Sequence, residues 1–191
     1  MLPALVDTVA RYRIPHEYLF EAITGVEMDL DTCRYETFAD LSQYCHRVAS
    51  VVGLMSIEIF GYTDARARPY AVSLGLALQL THILRAVAGD LDLGRGYLPL
   101  EDLEKHGALD DLLARRRTDA VRAAAAETAR RARARFAEAR AHFPRGDRRT
   151  LFPAEAMGGV YRRILDQVEA SGHDVLGPRP RVGAGAKMSV V

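Results

Sequence analysis

Between Thr37 and Phe60 the apolar residues Phe38, Leu41, Cys45, Val48, Val52, Met55 and Ile59 recur in alternating steps of three and four. That repeat places them on one face of an α-helix, and Gly61 directly after it is a stop signal. Ser50 and Gly53 inside the helix weaken its intrinsic propensity but admit close approach of a neighbouring helix or a ligand. A second helix is predicted from about Ala65 to Gly89, with Pro69 in its first turn. The two glycines and the proline of DLDLGRGYLP, Asp90 to Pro99, mark a loop. A short helix opens at Pro99 and closes near Gly107. One long Ala/Arg-rich helical stretch is then predicted from Leu109 to Phe143, a turn at residues 144–147, and a helix from about Arg149 to Ala170 ended by Ser171-Gly172. The tail GPRPRVGAGAKMSVV reads as irregular. No run alternates with a strand period, and no repeat or long linker is visible, so the pattern predicts a single all-α helical bundle.

Composition narrows the function classes. The 191 residues fit one domain with a substantial core, 49% of them are hydrophobic, and the net charge is +1. That balance gives no overall pull toward nucleic acid or anionic membrane. Arginine supplies 24 of the 26 basic residues beside abundant alanine; this resembles a high-GC coding preference and discounts Arg density as a signal. Cys33 and Cys45 are too few for a disulfide framework and have no zinc-ligand spacing, which predicts a reduced, cytoplasmic setting. The N-terminus lacks the features of a secretory signal, and no stretch approaches 18 uninterrupted apolar residues.

The candidate chemistry lies on the second helix. Steps of four, three, four and four link Gly75, Gln79, His82, Ala86 and Asp90 along one face, while Leu76, Leu80, Ile83 and Val87 fall on another. A helix with one apolar face and one face of small and polar residues can line a cavity inside a bundle. Taken alone, a solvated polar face is the commoner outcome.

Three segments change that weighting. ALQLTHILRAVAGDLDLGRGYLPLEDL resembles the second aspartate-rich region of squalene and phytoene synthases, YCHRVASVVGLM is similar to their YCYxVAGxVGxM helix, and VYRRILDQVE matches near the C-terminus. The flanking RYRIPHEYLFEAITGVEMDLDTCRYETF looks closest to bacterial presqualene diphosphate synthases of hopanoid pathways. The resemblance implies an isoprenoid-synthase bundle of which residues 1–182 form the C-terminal two-thirds, its N-terminal helices lying upstream, with 183–191 an irregular tail. It implies head-to-head condensation of two farnesyl diphosphates, or two geranylgeranyl diphosphates in the phytoene branch, through a cyclopropyl intermediate. It implies Mg²⁺ to neutralise the leaving diphosphate and an apolar tunnel around the allylic cation; the need for NADPH is left open.

By the same resemblance Tyr44, Tyr97 and Tyr161 carry catalysis, Gln79, His82, Arg85 and Arg95 bind substrate, and Asp90 binds metal. Arginine offers paired donors to phosphate, and tyrosine a π face to a carbocation. The chain departs from the family where the motif's Asn is His82, its first Asp is Ala86 and its Glu is Gly89; no DxxxD occurs. Imidazole suits softer ions than Mg²⁺, and Asp92 is off the helix face. The isolated chain is therefore expected to ionise substrate poorly. Near the end, GAGAK leaves Lys187 as the one cation of the family's basic tail.

The remaining polar features read as bland. Glu17/Glu21 and Glu27/Asp31 have the four-residue spacing of solvated helix faces, and His16, His46, His106, His142 and His173 have no partner spacing. From Asp111 to Thr150, 12 Arg stand against 5 acids; a solvated helix face is the expected reading, with weak peripheral contact to anionic lipid as the rival and no nucleic-acid role. Two other function classes stay open. One is a non-catalytic isoprenoid-binding or partner subunit, completed by a separate N-terminal half or by self-association. The other is a structural bundle with no ligand.

Overall fold

The computed structural model describes residues 2–31 and 34–181. The predicted Cys33, Lys187 and 183–191 features lie outside them. In chain order the helices are α1 (Leu2–Tyr12), α2 (His16–Asp31), α3 (Phe38–Cys45), a π-helical turn (His46–Ser50), α4 (Val51–Phe60), α5 (Ala67–Asp92), α6 (Leu100–Lys105), α7 (Leu109–Leu113), α8 (Asp119–His142), a 3₁₀ turn (Arg145–Asp147) and α9 (Phe152–Ala170). Among the described residues the only strand-like pairing is an isolated bridge from Arg34 to Gly96.

The Thr37–Phe60 helix has the predicted extent, with a reciprocal Thr37–Asp40 capping box at its start, but its buried face passes from Leu41 and Cys45 to Val51, Leu54 and Ile57, leaving the predicted Val52 and Ile59 exposed. It carries one π turn, and there its small residues are used. A Cβ on Gly75 of α5 would lie 2.6 Å from Ser50 Cα, and one on Gly53 would lie 3.0 Å from the Ala71 carbonyl oxygen. The buried Ser50 hydroxyl donates to Val72 O at 2.8 Å. These contacts set α5 tightly across the α3–α4 helix.

α5 is the central element, packed on α4, α8 and α9. Leu80, Ile83 and Leu84 are fully buried, each contributing about 1.5–3 kcal/mol of hydrophobic stabilisation. Its length and apolar character would suffice to cross a membrane, but most of that stretch is buried inside the bundle, as in a core helix. Opposite it, α8 presents Ala124, Ala125, Ala129 and Ala132, so the helix axes approach closely.

Two predictions of extent are corrected. The Leu109–Phe143 stretch is two helices, broken where Arg115 adopts φ +55° and Thr118 accepts from Val121 N to cap α8. The loop placed at Asp90 begins only after Asp92, because α5 runs on through that residue.

Candidate functional site

The predicted residues fall into three adjoining groups. Gln79, His82 and Tyr161 line an apolar cavity of about 310 Å³ between α4, α5 and α9, walled by Val52, Gly53, Leu74 and Met157. His82, Arg85, Ala86 and Asp90 line a polar recess of about 290 Å³, closed by Val175, Arg179 and Pro180 from the segment after α9. His82 is common to both hollows, so an apolar chamber and a polar one meet at a single imidazole.

The segment after α9 is fastened to the bundle. Asp174 pairs with Arg117, Gln167 Nε2 donates to Arg181 O at 3.1 Å, and Arg85 Nε donates to Pro180 O at 3.0 Å. That contact fixes the Arg85 side chain and brings Arg179 to the recess. Burial holds the His82 imidazole below its ordinary pKa, and Arg179 and Arg85 push it further the same way. It is neutral near pH 7. Burial raises the Asp90 carboxyl above the usual range, Asp29 adds to the rise, and Arg179 and Arg95 pull it back.

The third group surrounds Asp29 of α2. Tyr97 donates to Asp29 Oδ1 at 2.8 Å, Tyr44 to Oδ2 at 3.1 Å, and Arg95 to the Asp29 carbonyl at 3.2 Å. Tyr35 completes an aromatic cluster, its ring centroid 5.3 Å from that of Tyr44 and 6.0 Å from that of Tyr97. The loop reaches this place because Leu100 N and Glu101 N donate to the carbonyls of Tyr35 and Glu36. Burial raises all three phenols, so each stays protonated at neutral pH. The Tyr35 hydroxyl is buried without a hydrogen-bond partner.

Arg95 thus sits with the tyrosines, while Arg85 is held at the recess by Pro180. Asp92 is exposed and paired with Arg115 at 2.6 Å, outside the recess. Asp29, Tyr35 and Arg179 were not singled out from the sequence. For Asp29 a signal existed: Tyr18, Ala22, Gly25 and Asp29 follow steps of four, three and four, and Gly25 is pressed against Arg47 and Val48. The acidic pairs behave as solvated faces, with Glu21 bound to Arg47 at 3.0 Å.

Magnesium does not fit the donors present. Of the two carboxylates lining the recess, Asp174 is paired with Arg117 and only Asp90 is left, Asp29 accepts from two phenols, and among the described residues no three His, Cys, Asp or Glu side chains gather to hold an ion. A hard cation takes most of its shell from oxygen, and His82 offers nitrogen.

A helical bundle with an apolar chamber opening beside clustered arginines defines a class of binding site for amphiphilic anions. The squalene/phytoene synthase family model matches residues 1–186, and the chain belongs to that family. It is 38% identical to phytoene synthase 1, chloroplastic, of Arabidopsis thaliana over 98% of this chain and 46% of that protein. With the 15-cis-phytoene synthase of Synechocystis sp. it shares 36% identity over 97% of this chain and 59% of that protein. The chain therefore spans about half the length of the curated relatives it matches. In structure it is similar to the squalene synthase HpnC from Alicyclobacillus acidocaldarius, with a TM-score of 0.81 and 34% identity over 90% of this chain and 66% of that one. The all-helical bundle is of the isoprenoid-synthase type.

Proposed function

We propose that this chain forms the substrate-holding part of a head-to-head prenyltransferase. The prenyl chain lies in the cavity walled by Val52 and Met157, and the diphosphate lies beside His82, Arg85 and Arg179. The observation that carries this reading is His82, which lines both hollows. An amphiphile whose ionising carbon joins an apolar tail to a charged head needs that junction.

At the junction the allylic carbon–oxygen bond breaks and its electron pair leaves with the diphosphate. Arg85 and Arg179 hold that developing charge with paired donors. The apolar walls keep water from the cation, and Tyr161 offers its ring face. Tyr44 and Tyr97, steadied by Asp29, stand with Arg95 at the Asp90 end of the recess. Family membership supports diphosphate-bound magnesium, but with Asp174 held by Arg117 only Asp90 would be free to ligate it in this recess, so ionisation depends on carboxylates from outside the described residues.

On substrate, the farnesyl and presqualene reading rests on the flanking motifs and on the likeness to HpnC. The names of the curated relatives support the phytoene alternative better, and we favour condensation of two geranylgeranyl diphosphates. The test supplies purified protein with Mg²⁺ and radiolabelled geranylgeranyl or farnesyl diphosphate. Retention of label without diphosphate release is expected, with the longer chain held more tightly. Robust release by this chain alone would contradict the dependence on outside carboxylates.

One observation favours the partner-subunit reading beside it. Phe20, Ile23, Val26 and Leu30 form an exposed apolar stripe along α2, Leu30 being 79% exposed, and contiguous exposed apolar residues mark interaction surfaces. Size-exclusion chromatography tests it, with association expected and a sharp monomer peak arguing against.

A further inference from the structure

Most arginines of the basic stretch are paired: Arg115, Arg116, Arg117, Arg122, Arg130, Arg131, Arg133 and Arg135 all meet carboxylates. Four other arginines, three from the end of that stretch and one from α9, are not. Arg140 at the end of α8, Arg145 and Arg148 around the 3₁₀ turn, and Arg162 on α9 converge on an open recess of about 700 Å³ floored by Phe143. None of the four makes an ion pair among the described residues. Arg162 lies over the Phe136 ring, 5.8 Å from its centroid, and its charge is felt at Tyr70.

Two acids lie near them, each held by neutral donors. Asp147 turns inward, its oxygens accepting from Thr63 Oγ1 at 2.7 Å, Thr63 N at 3.0 Å and Asp64 N at 3.1 Å. That grip fixes the turn and leaves its two arginines facing outward. Glu155, the one carboxylate lining the recess, accepts from the neutral Tyr70 hydroxyl at 2.7 Å and offsets one of the four positive charges. Four guanidinium groups against one carboxylate leave the recess with an excess of positive charge, which a bound anion relieves. Tyr70 also lines the apolar cavity and packs edge-on against Phe143, with centroids 5.3 Å apart. The recess therefore backs onto the apolar cavity, away from His82.

We propose that this recess is a second anion site that binds phosphate-ester oxyanions, either free in solution or on the headgroups of an anionic lipid surface. It does not depend on the prenyltransferase reading. The experiment uses the full chain in an Arg85→Gln/Arg179→Gln background, which disables the His82 recess and separates the two claims. Pyrophosphate binding is measured by calorimetry, and vesicle binding by co-sedimentation with phosphatidylcholine alone or mixed with phosphatidylglycerol. Arg145→Gln/Arg148→Gln is then added, with Arg116→Gln/Arg130→Gln as a control of equal charge change. The expected result is binding to pyrophosphate or to the anionic vesicles that falls roughly thirtyfold with the recess variant and hardly with the control. Loss confined to vesicles assigns lipid headgroups, and loss confined to pyrophosphate assigns a soluble phosphate. No binding to either probe, or an equal loss in the control, overturns the proposal.

Discussion

Tyr44 and Tyr97 donate their hydroxyls to opposite oxygens of one carboxylate, Asp29, from helices and loops 15 and 68 residues away in sequence. The arrangement joins α2, the α3–α4 helix and the loop after α5 at one point. It also fixes both rings, stacked with centroids 5.5 Å apart, beside the half-buried Arg95.

Asp29→Ala is expected to strand two phenols without their acceptor. Loss of a buried partner costs about 1–3 kcal/mol, which urea unfolding would register as a lower midpoint at unchanged slope. Asp29→Asn keeps one acceptor oxygen and should lose less.

The close approach of α5 to the π turn makes a sharper prediction. Gly75→Ala forces a methyl group to within 2.6 Å of Ser50 Cα and should destabilise by about 1–3 kcal/mol through overpacking. Gly89→Ala on the same helix meets nothing within 4 Å. It should stabilise by up to about 1 kcal/mol through helix propensity. The opposite signs, read from thermal unfolding, separate packing from propensity.

His82 gives the pH dependence. Its imidazole has a lower pKa folded than unfolded, so the unfolded chain binds the extra proton first as pH falls. Its contribution to stability is complete above the unfolded value of about 6.5 and is lost as pH drops through the folded value. His82→Gln should flatten the fall in stability below that pH. An anion bound beside the imidazole raises its pKa, so anion binding should strengthen on acidification in the wild type and not in the variant.

The segment after α9 acts through its anchor. Asp174→Asn weakens the pairing with Arg117 that holds this segment down, lowering the fraction of molecules with Arg179 at the recess. A prenyl thiodiphosphate should then bind at least about threefold more weakly, with helix content by circular dichroism unchanged.

The bundle was legible because core helices announce themselves by period. The two faces of α5 stand in the structure, while the Phe38–Ile59 stripe holds only up to the π turn, whose extra residue shifts burial to Val51, Leu54 and Ile57. Gln79, His82 and Asp90 were legible as one face, and all three line hollows. What the pattern could not carry is pairing across the chain. Arg95 looked equivalent to Arg85 until the Tyr35–Leu100 hydrogen bond drew its loop toward α2. The break at Arg115 was hidden because Ala and Arg favour helix on both sides of it. The four unpaired arginines look the same in sequence as the paired ones, since neutralisation is decided by which carboxylate folds within reach.

The most direct test is the thermal stability of this chain with a non-hydrolysable geranylgeranyl thiodiphosphate, against geranylgeraniol and inorganic pyrophosphate as half-ligands. A chamber and a cationic recess meeting at His82 predict that the whole amphiphile, near 100 times its Kd, raises Tm by roughly 5–10 °C. Each half-ligand should give much less, and Arg85→Gln/Arg179→Gln should remove most of the gain. If the alcohol stabilises as well as the thiodiphosphate, or neither moves Tm, the two hollows do not form one site.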